Sequence, residues 1–210
     1  MNFDSMDKPK IGIIISTTRE GRFGDKPARW ILDIASRRDD LEVEIVDLRD
    51  YPLALYGEAS SLSPSPDDVV DRWSEKMAGL DGFLFVTAEY NHSIPAVLKN
   101  ALDHAYPEFN KKPAAFAGYG GVGGARAVEQ LRLICVELQM APTRTAVHIG
   151  MEPLLSMRKE GKDLSDFDFL NKSAVATLDE LAWWTHALRA GRVEEATPPE
   201  KERAKEGANA

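Results

Sequence analysis

The chain has 210 residues, enough for one sizeable α/β domain with a filled core, and its 26 basic against 34 acidic residues leave a net charge of −8. That balance argues against a nucleic-acid partner, which asks for a basic stripe; no apolar run approaches the ~20 residues of a membrane span, and the polar start MNFDSMDKPK lacks the apolar stretch of a signal peptide. The single cysteine, Cys135, excludes an intrachain disulfide or a CxxC site and fits a reducing cytoplasm.

Residues 1–9 read as a disordered tail, and the first element is the apolar run KIGIII (10–15). A loop, STTREGRFGD (16–25), leads into a helical stripe of Ala28, Ile31, Leu32 and Ala35. EVEIVDL (42–48) is the second strand, and YPLALYGEASSLSPSPD (51–67) has no periodicity, as a long surface connection suited to a subunit contact does. Val70, Trp73, Met77 and Leu80 mark the second helix, GFLFVT (82–87) the third strand, and Val97, Leu98, Ala101 and Leu102 the third helix. AAFAG (114–118) is the fourth strand, followed by a stripe of Val128, Leu131, Ile134, Cys135 and Leu138 in which the thiol is a buried structural group. TAVHIG (145–150) is the fifth strand, and Val175, Leu178, Leu181, Ala182 and Leu188 mark the last helix. The Pro-interrupted polar end, 193–210, reads as a second disordered tail, which leaves 10–192 as one domain.

Strand and helix alternating five times predicts a five-stranded parallel sheet with helices on both faces. Right-handed crossovers leave few topologies, and five strands in this length suit the flavodoxin-like order 2-1-3-4-5. In such a sheet all strand C-termini share one edge, and ligands bind there.

Three loops therefore converge. STTREGRFGD offers Ser16, Thr17, Thr18, Arg19 and Arg22, with Gly21 and Gly24 for tight turns. Hydroxyls, a helix N-terminus and guanidinium forks are what a phosphate needs. AEYNHSIP (88–95) offers the planar face of Tyr90 and the amide of Asn91, with Ser93 placed to cap a helix that Pro95 begins. GYGGVGGAR (118–126) is bare backbone that approaches a ligand closely. GYGGVG matches a dinucleotide fingerprint letter for letter, but it follows the fourth strand, and Glu152 lies beyond the roughly twenty residues at which that motif's acid is expected. Together the loops describe a phosphorylated planar ring, and FMN fits.

These same stretches resemble the NADPH-dependent FMN reductase family, of flavodoxin-like fold, which includes azo-, chromate- and quinone-reducing flavoproteins. STTR (16–19), AEYNHSIPAVLKNALDH (88–104) and GYGGVGGARAVEQLR (118–132) carry the likeness, the middle one being long and specific. The resemblance implies that Ser16, Thr18, Arg19 and Arg22, with Gly24 and Asp25, hold the FMN phosphate. It implies that Glu89, Tyr90, Asn91 and Ser93 line the ring and ribityl chain, and that Gly120, Gly121, Val122 and Gly123 close against the ring. Ala88 stands where the family has Pro, His104 where Trp is common, and Ser16-Thr17 where it has Gly-Ser.

The expected activity is an NAD(P)H oxidoreductase that passes a hydride from NADPH or NADH to FMN, and electrons on to a flavin, quinone, azo compound or metal oxyanion. The flavin carries that chemistry, so no side chain is assigned as catalytic and no metal is expected. The resemblance further implies a homodimer or homotetramer. The alternatives are a flavodoxin-like electron carrier or regulatory flavin-binding protein without nicotinamide turnover, and a domain that binds the nicotinamide alone through GYGGVG.

Overall fold

Strands rich in Ile, Val and Phe and covered on both faces build the centre of the molecule. In the computed structural model, which describes residues 7–57 and 69–196, β1 (Lys10–Ile15), β2 (Glu42–Asp47), β3 (Gly82–Ala88) and β4 (Pro113–Tyr119) pair in parallel, in the order β2-β1-β3-β4. Helices α1 (Asp25–Ala35), α2 (Val69–Ala78), α3 (Ala96–Asp103), α4 (Ala125–Glu137), α5 (Met151–Glu160) and α6 (Asp168–Ala196) cover the faces.

The strand period of two sorts the side chains. Ile11, Ile13, Ile15, Leu84 and Val86 pack with Ile31 of α1, Met157 of α5 and Leu178 and Leu181 of α6. Ile14, Phe83, Phe85 and Phe116 pack on the opposite face with Trp73 of α2, Leu98 of α3 and Leu131 of α4. Cys135 is fully buried in this second cluster, and burial pushes its thiol up to about 12. The fold is flavodoxin-like, in the 2-1-3-4-5 order.

The fifth position departs from expectation. It is a broken edge, β5 (Ala141–Pro142) and β6 (Val147–Ile149), each paired with β4. Residues 143–146 bulge opposite residues 115–116. Arg132 donates to the carbonyls of Thr143 and Arg144, while Glu180 accepts from the N–H groups of Arg144 and Thr145, both at 2.8 Å. These clamps satisfy the bulge's backbone and blunt the edge.

Helix α5, which the sequence reading did not include, lies between β6 and α6, and α6 continues to Ala196, past the expected domain end at 192. Val97 and Val175, expected in the core, are 39% and 45% exposed. Residues 1–6, 58–68 and 197–210 lie outside the described residues, and with them most of both expected tails and the Ser/Pro-rich half of the long connection. The other half is held by α3: Asn100 donates to the Leu53 and Ala54 carbonyls and accepts from the Tyr56 N–H, and His104 Nε2 lies 2.9 Å from the Ala54 carbonyl.

Candidate functional site

The loops after β1, β3 and β4 meet pairwise at one edge of the sheet. Arg19 Nε donates to the Tyr90 hydroxyl at 2.9 Å, joining the first loop to the second. Thr17 Oγ1 and the Tyr119 hydroxyl, 3.3 Å apart, join the first strand end to the fourth. Glu89 joins the second loop to the third: its carboxylate accepts from Arg126 Nε at 2.5 Å and from the Arg126 N–H, in the first turn of α4, at 3.2 Å.

The first loop has an unusual backbone arrangement. The Thr17 carbonyl accepts from Arg22 Nη1 at 2.5 Å, the Thr18 carbonyl from Arg49 Nε at 3.0 Å and the Arg19 carbonyl from Arg49 Nη2 at 2.5 Å. By contrast, the N–H groups of residues 17–21 find no acceptor among the described residues. Backbone donors without partners, next to the N-terminus of α1, are what an anion binds. Of the side chains, Thr18 and Arg19 remain at the surface, whereas Ser16 is fully buried.

Arg22 does not face the opening. Its side chain is 2% exposed, with Nη1 2.6 Å from Asp47 at the end of β2 and Nε 3.1 Å from Asp25 in the first turn of α1. Burial pushes the Asp47 carboxyl up, but Arg22 and the Arg49 N–H hold it below its usual value. Arg22 and Asp25 thus brace the loop from behind. Gly24 sits at the N-cap of α1, where a Cβ would stand 3.1 Å from both Thr17 Oγ1 and the Tyr119 hydroxyl.

The second loop turns sharply. Tyr90 and Ser93 exchange backbone hydrogen bonds at 3.0 and 3.1 Å, and Asn91 (φ 48°) and His92 (φ 74°) both lie in the left-handed region. Two such residues between the bridged Tyr90 and Ser93 make a turn of the I′ kind, for which Asn is well suited. Tyr90, 39% exposed, and Asn91 stand at the surface. The Ser93 hydroxyl donates to Gln130 on α4 at 2.5 Å. It does not cap α3, whose N-cap is Pro95 without a side-chain cap. Glu89, 4% exposed, is spent on Arg126; burial raises its pKa, and Arg126 outweighs that and holds it low.

The glycines of the third loop divide by role. Gly124, at φ 69°, lies so close to β4 that a Cβ would stand 2.5 Å from the Tyr119 nitrogen. Gly123 packs on His148, whose Nδ1 lies 3.0 Å from the Gly123 carbonyl. Gly120 packs on the Glu89 Cβ. Only Gly121, with nothing within 4 Å of a Cβ, and Val122, 51% exposed, present an open wall.

Sequence reasoning missed Asp47 and Arg49 at the end of β2, Tyr119 beneath the glycines, and Arg126. Arg126 had a visible signal, as part of the motif GGARA, but the others occur where only packing gives them meaning. A cleft of about 280 Å³ adjoins the first loop, lined by Thr18, Arg49, Tyr51, Leu53, Val97 and Asn100 among others. Among the described residues no cluster of His, Cys, Asp or Glu could hold a metal, and no helix is long and apolar enough to cross a membrane.

Residues 9–153 match the family model described as NADPH-dependent FMN reductase. An NAD(P)H-dependent FMN reductase of Schizosaccharomyces pombe is 35% identical over 153 residues, covering 70% of this chain and 76% of that protein. A 2-hydroxy-1,4-benzoquinone reductase of a Burkholderia species is 32% identical over 138 residues, covering 62% and 72%. Among solved structures, the NAD(P)H:(acceptor) oxidoreductase FerB of Paracoccus denitrificans superposes with a TM-score of 0.69 at 21% identity, over 85% of this chain and 98% of that one.

Proposed function

Because the chain belongs to the NADPH-dependent FMN reductase family, we propose that it is an FMN-dependent NAD(P)H oxidoreductase whose electron acceptor is a small planar molecule, a quinone or a second flavin. The observation that carries this reading is the first loop: five successive N–H groups lack acceptors among the described residues while the carbonyls of residues 17–19 are tied back. That donor set fits a phosphate monoester, and its place at the carboxyl edge of β1 and β3 fits a nucleotide.

In this reading the N–H groups of residues 17–21, the Thr18 hydroxyl and the free end of Arg19 hold the phosphate, with Arg22 and Asp25 as braces. Tyr90 and Asn91 bound one side of the ring, and Gly121 and Val122 the other. Glu89, Gly120 and Gly123 set the spacing between those walls, and Ser93 anchors the turn to α4. Bound FMN supplies the hydride acceptor and the redox chemistry. The chain's own part is to orient the ring and hold its phosphate, and fixed backbone donors do so without reorganising. His104 is engaged by the Ala54 carbonyl and an edge contact with Tyr56, and His148 by Gly123, so neither is given a proton-transfer role.

The open wall at Gly121 and Val122 supports turnover with exchanging substrates over a sealed electron carrier. Exposed Leu55 and Tyr56, 63% and 66% accessible beside α3, support a homodimer or homotetramer. The lone, buried thiol and the absence of a membrane-crossing helix among the described residues suit a cytoplasmic setting.

The test is direct. The purified protein should be yellow and bleach when NADPH or NADH is added without oxygen. Arg19→Ala should weaken FMN binding by roughly 1.5–3 kcal/mol, the worth of a charge-assisted hydrogen bond. A colourless protein that takes up no FMN refutes the cofactor, and a yellow one that neither nicotinamide bleaches refutes the enzyme.

A further inference from the structure

We infer that the end of β2 is a second half of the anion site, with Arg49 as a positioning residue that aims the backbone donors of the first loop without touching the anion. The inference rests on the proposed reading that this loop holds the FMN phosphate.

A planar trans peptide sends its C=O and the following N–H in opposite directions. The Thr17, Thr18 and Arg19 carbonyls are all held by guanidinium groups, the first by Arg22 and the other two by Arg49. The N–H groups of Thr18, Arg19 and Glu20 therefore point away from those guanidinium groups, and all three lack an acceptor among the described residues. Among the described residues no backbone N–H of residues 17–22 is donated to a backbone carbonyl, so the two arginines are what choose that orientation over its reverse.

Asp47 organises both arginines. Its carboxylate accepts from Arg22 Nη1 at 2.6 Å and from the Arg49 N–H at 2.9 Å. The second contact caps the 3₁₀ turn Leu48–Asp50 that follows β2 and so fixes where Arg49 leaves the backbone. Among the described residues the Arg49 guanidinium has no carboxylate in salt-bridge contact, and its fork is matched to two successive carbonyls. A lysine, with one compact ammonium, would hold that geometry less well.

A role confined to stability and a role in aiming donors differ in one respect. The first weakens any flavin equally, whereas the second matters only to a flavin that carries a phosphate. The experiment titrates FMN and riboflavin separately into the full chain stripped of flavin, for the wild type, Arg49→Ala and Arg49→Lys, following quenching of flavin fluorescence. The FMN-to-riboflavin affinity ratio should fall roughly ten- to a hundredfold in Arg49→Ala, the worth of one charge-assisted hydrogen bond. Riboflavin affinity should stay within about twofold, and Arg49→Lys should lie between; should the alanine variant not fold, the lysine variant decides alone by a fall or no fall in the ratio. An equal loss for both flavins, or an unchanged ratio, overturns the inference. A wild-type chain that binds riboflavin as tightly as FMN overturns the phosphate reading and the inference together, whereas a discriminating wild type with an equally discriminating Arg49→Ala overturns the inference alone.

Discussion

Arg22→Ala tests whether the clamp behind the first loop is closed in solution. The guanidinium is 2% exposed, whereas Asp47 and Asp25 are 23% and 38% exposed. Breaking a buried ion pair costs about 3–5 kcal/mol, and exposed pairs contribute about 0–1 kcal/mol. A buried cation between two half-open carboxylates falls between these limits, and the Thr17 carbonyl also loses its donor. The expected loss is about 2–3 kcal/mol, or roughly 5–10 °C in Tm for a domain of this size.

The pH dependence is a sharper check. Asp47 in the wild type is held below the usual carboxylate value of about 3.9. Its stabilising contribution is therefore present above that value and fades as pH falls through the lower, folded pKa. In the variant, burial is no longer opposed by Arg22 and pushes Asp47 up, so the folded chain takes up a proton before the unfolded one does. The variant then gains stability, relative to the wild type, as the pH falls. Urea unfolding followed by tryptophan fluorescence should show the largest gap between the two proteins near pH 7 and a narrowing gap towards pH 4. A gap under about 0.5 kcal/mol at pH 7, the scatter of ordinary surface substitutions, or a gap that does not change with pH, refutes the clamp.

Lys112 gives a second pH test of opposite sense. Burial pushes its ammonium down to about 8, although it donates to the Met77 and Ala78 carbonyls at the end of α2. Between pH 8 and 10.5 the unfolded chain holds a proton that the folded chain lacks, so wild-type stability should rise with pH by up to about 1.4 kcal/mol per unit relative to Lys112→Met. Urea midpoints at pH 7.5 and pH 10 that differ between the two proteins by the same amount would refute this. Gly124→Ala should cost at least about 2 kcal/mol, because its φ of 69° strains any side chain and a Cβ would strike the Tyr119 nitrogen. Gly121→Ala, in open space, should unfold within about 0.5 kcal/mol of the wild type, and thermal melts of both variants separate packing glycines from those in open space.

Those two glycines also show where sequence reading stopped. Strands β1 to β4 were legible to within about a residue, β1, β3 and β4 because buried strands are written as nearly unbroken apolar runs and the edge strand β2 by the alternation of EVEIVD. For the fifth position TAVHIG contains β6 but not β5, since the pairing is split by a bulge that Arg132 and Glu180 stabilise from two different helices. Helix α5 has no clear apolar stripe: only Pro153, Ser156 and Met157 of its residues are buried. Its available signals were Pro153 in the first turn and Gly161 at the end, which adopts φ 71°. In the site, composition revealed which groups are at hand but not which are already committed. Arg22, Glu89 and Ser93 have the chemistry of ligand contacts, yet each is engaged by Asp47, Arg126 or Gln130. Arg49 carries no signal in the sequence, because its partners are carbonyls, which every residue has.

The committed groups have a thermodynamic use. Ordering a loop costs roughly 1–2 kcal/mol per residue in backbone entropy, and a loop that orders only when its ligand arrives subtracts that cost from affinity. Here the carbonyls of residues 17–19 are fixed by arginines that are themselves fixed by Asp47, so the ordering belongs to folding. The links Arg19–Tyr90, Thr17–Tyr119 and Glu89–Arg126 extend the same logic to the other two loops. A site assembled this way offers donors whose directions are set before the anion arrives. Its affinity for that anion should therefore depend on residues the anion never touches, and the substitutions that weaken binding most selectively should lie behind the loop, at the end of β2, as well as in it.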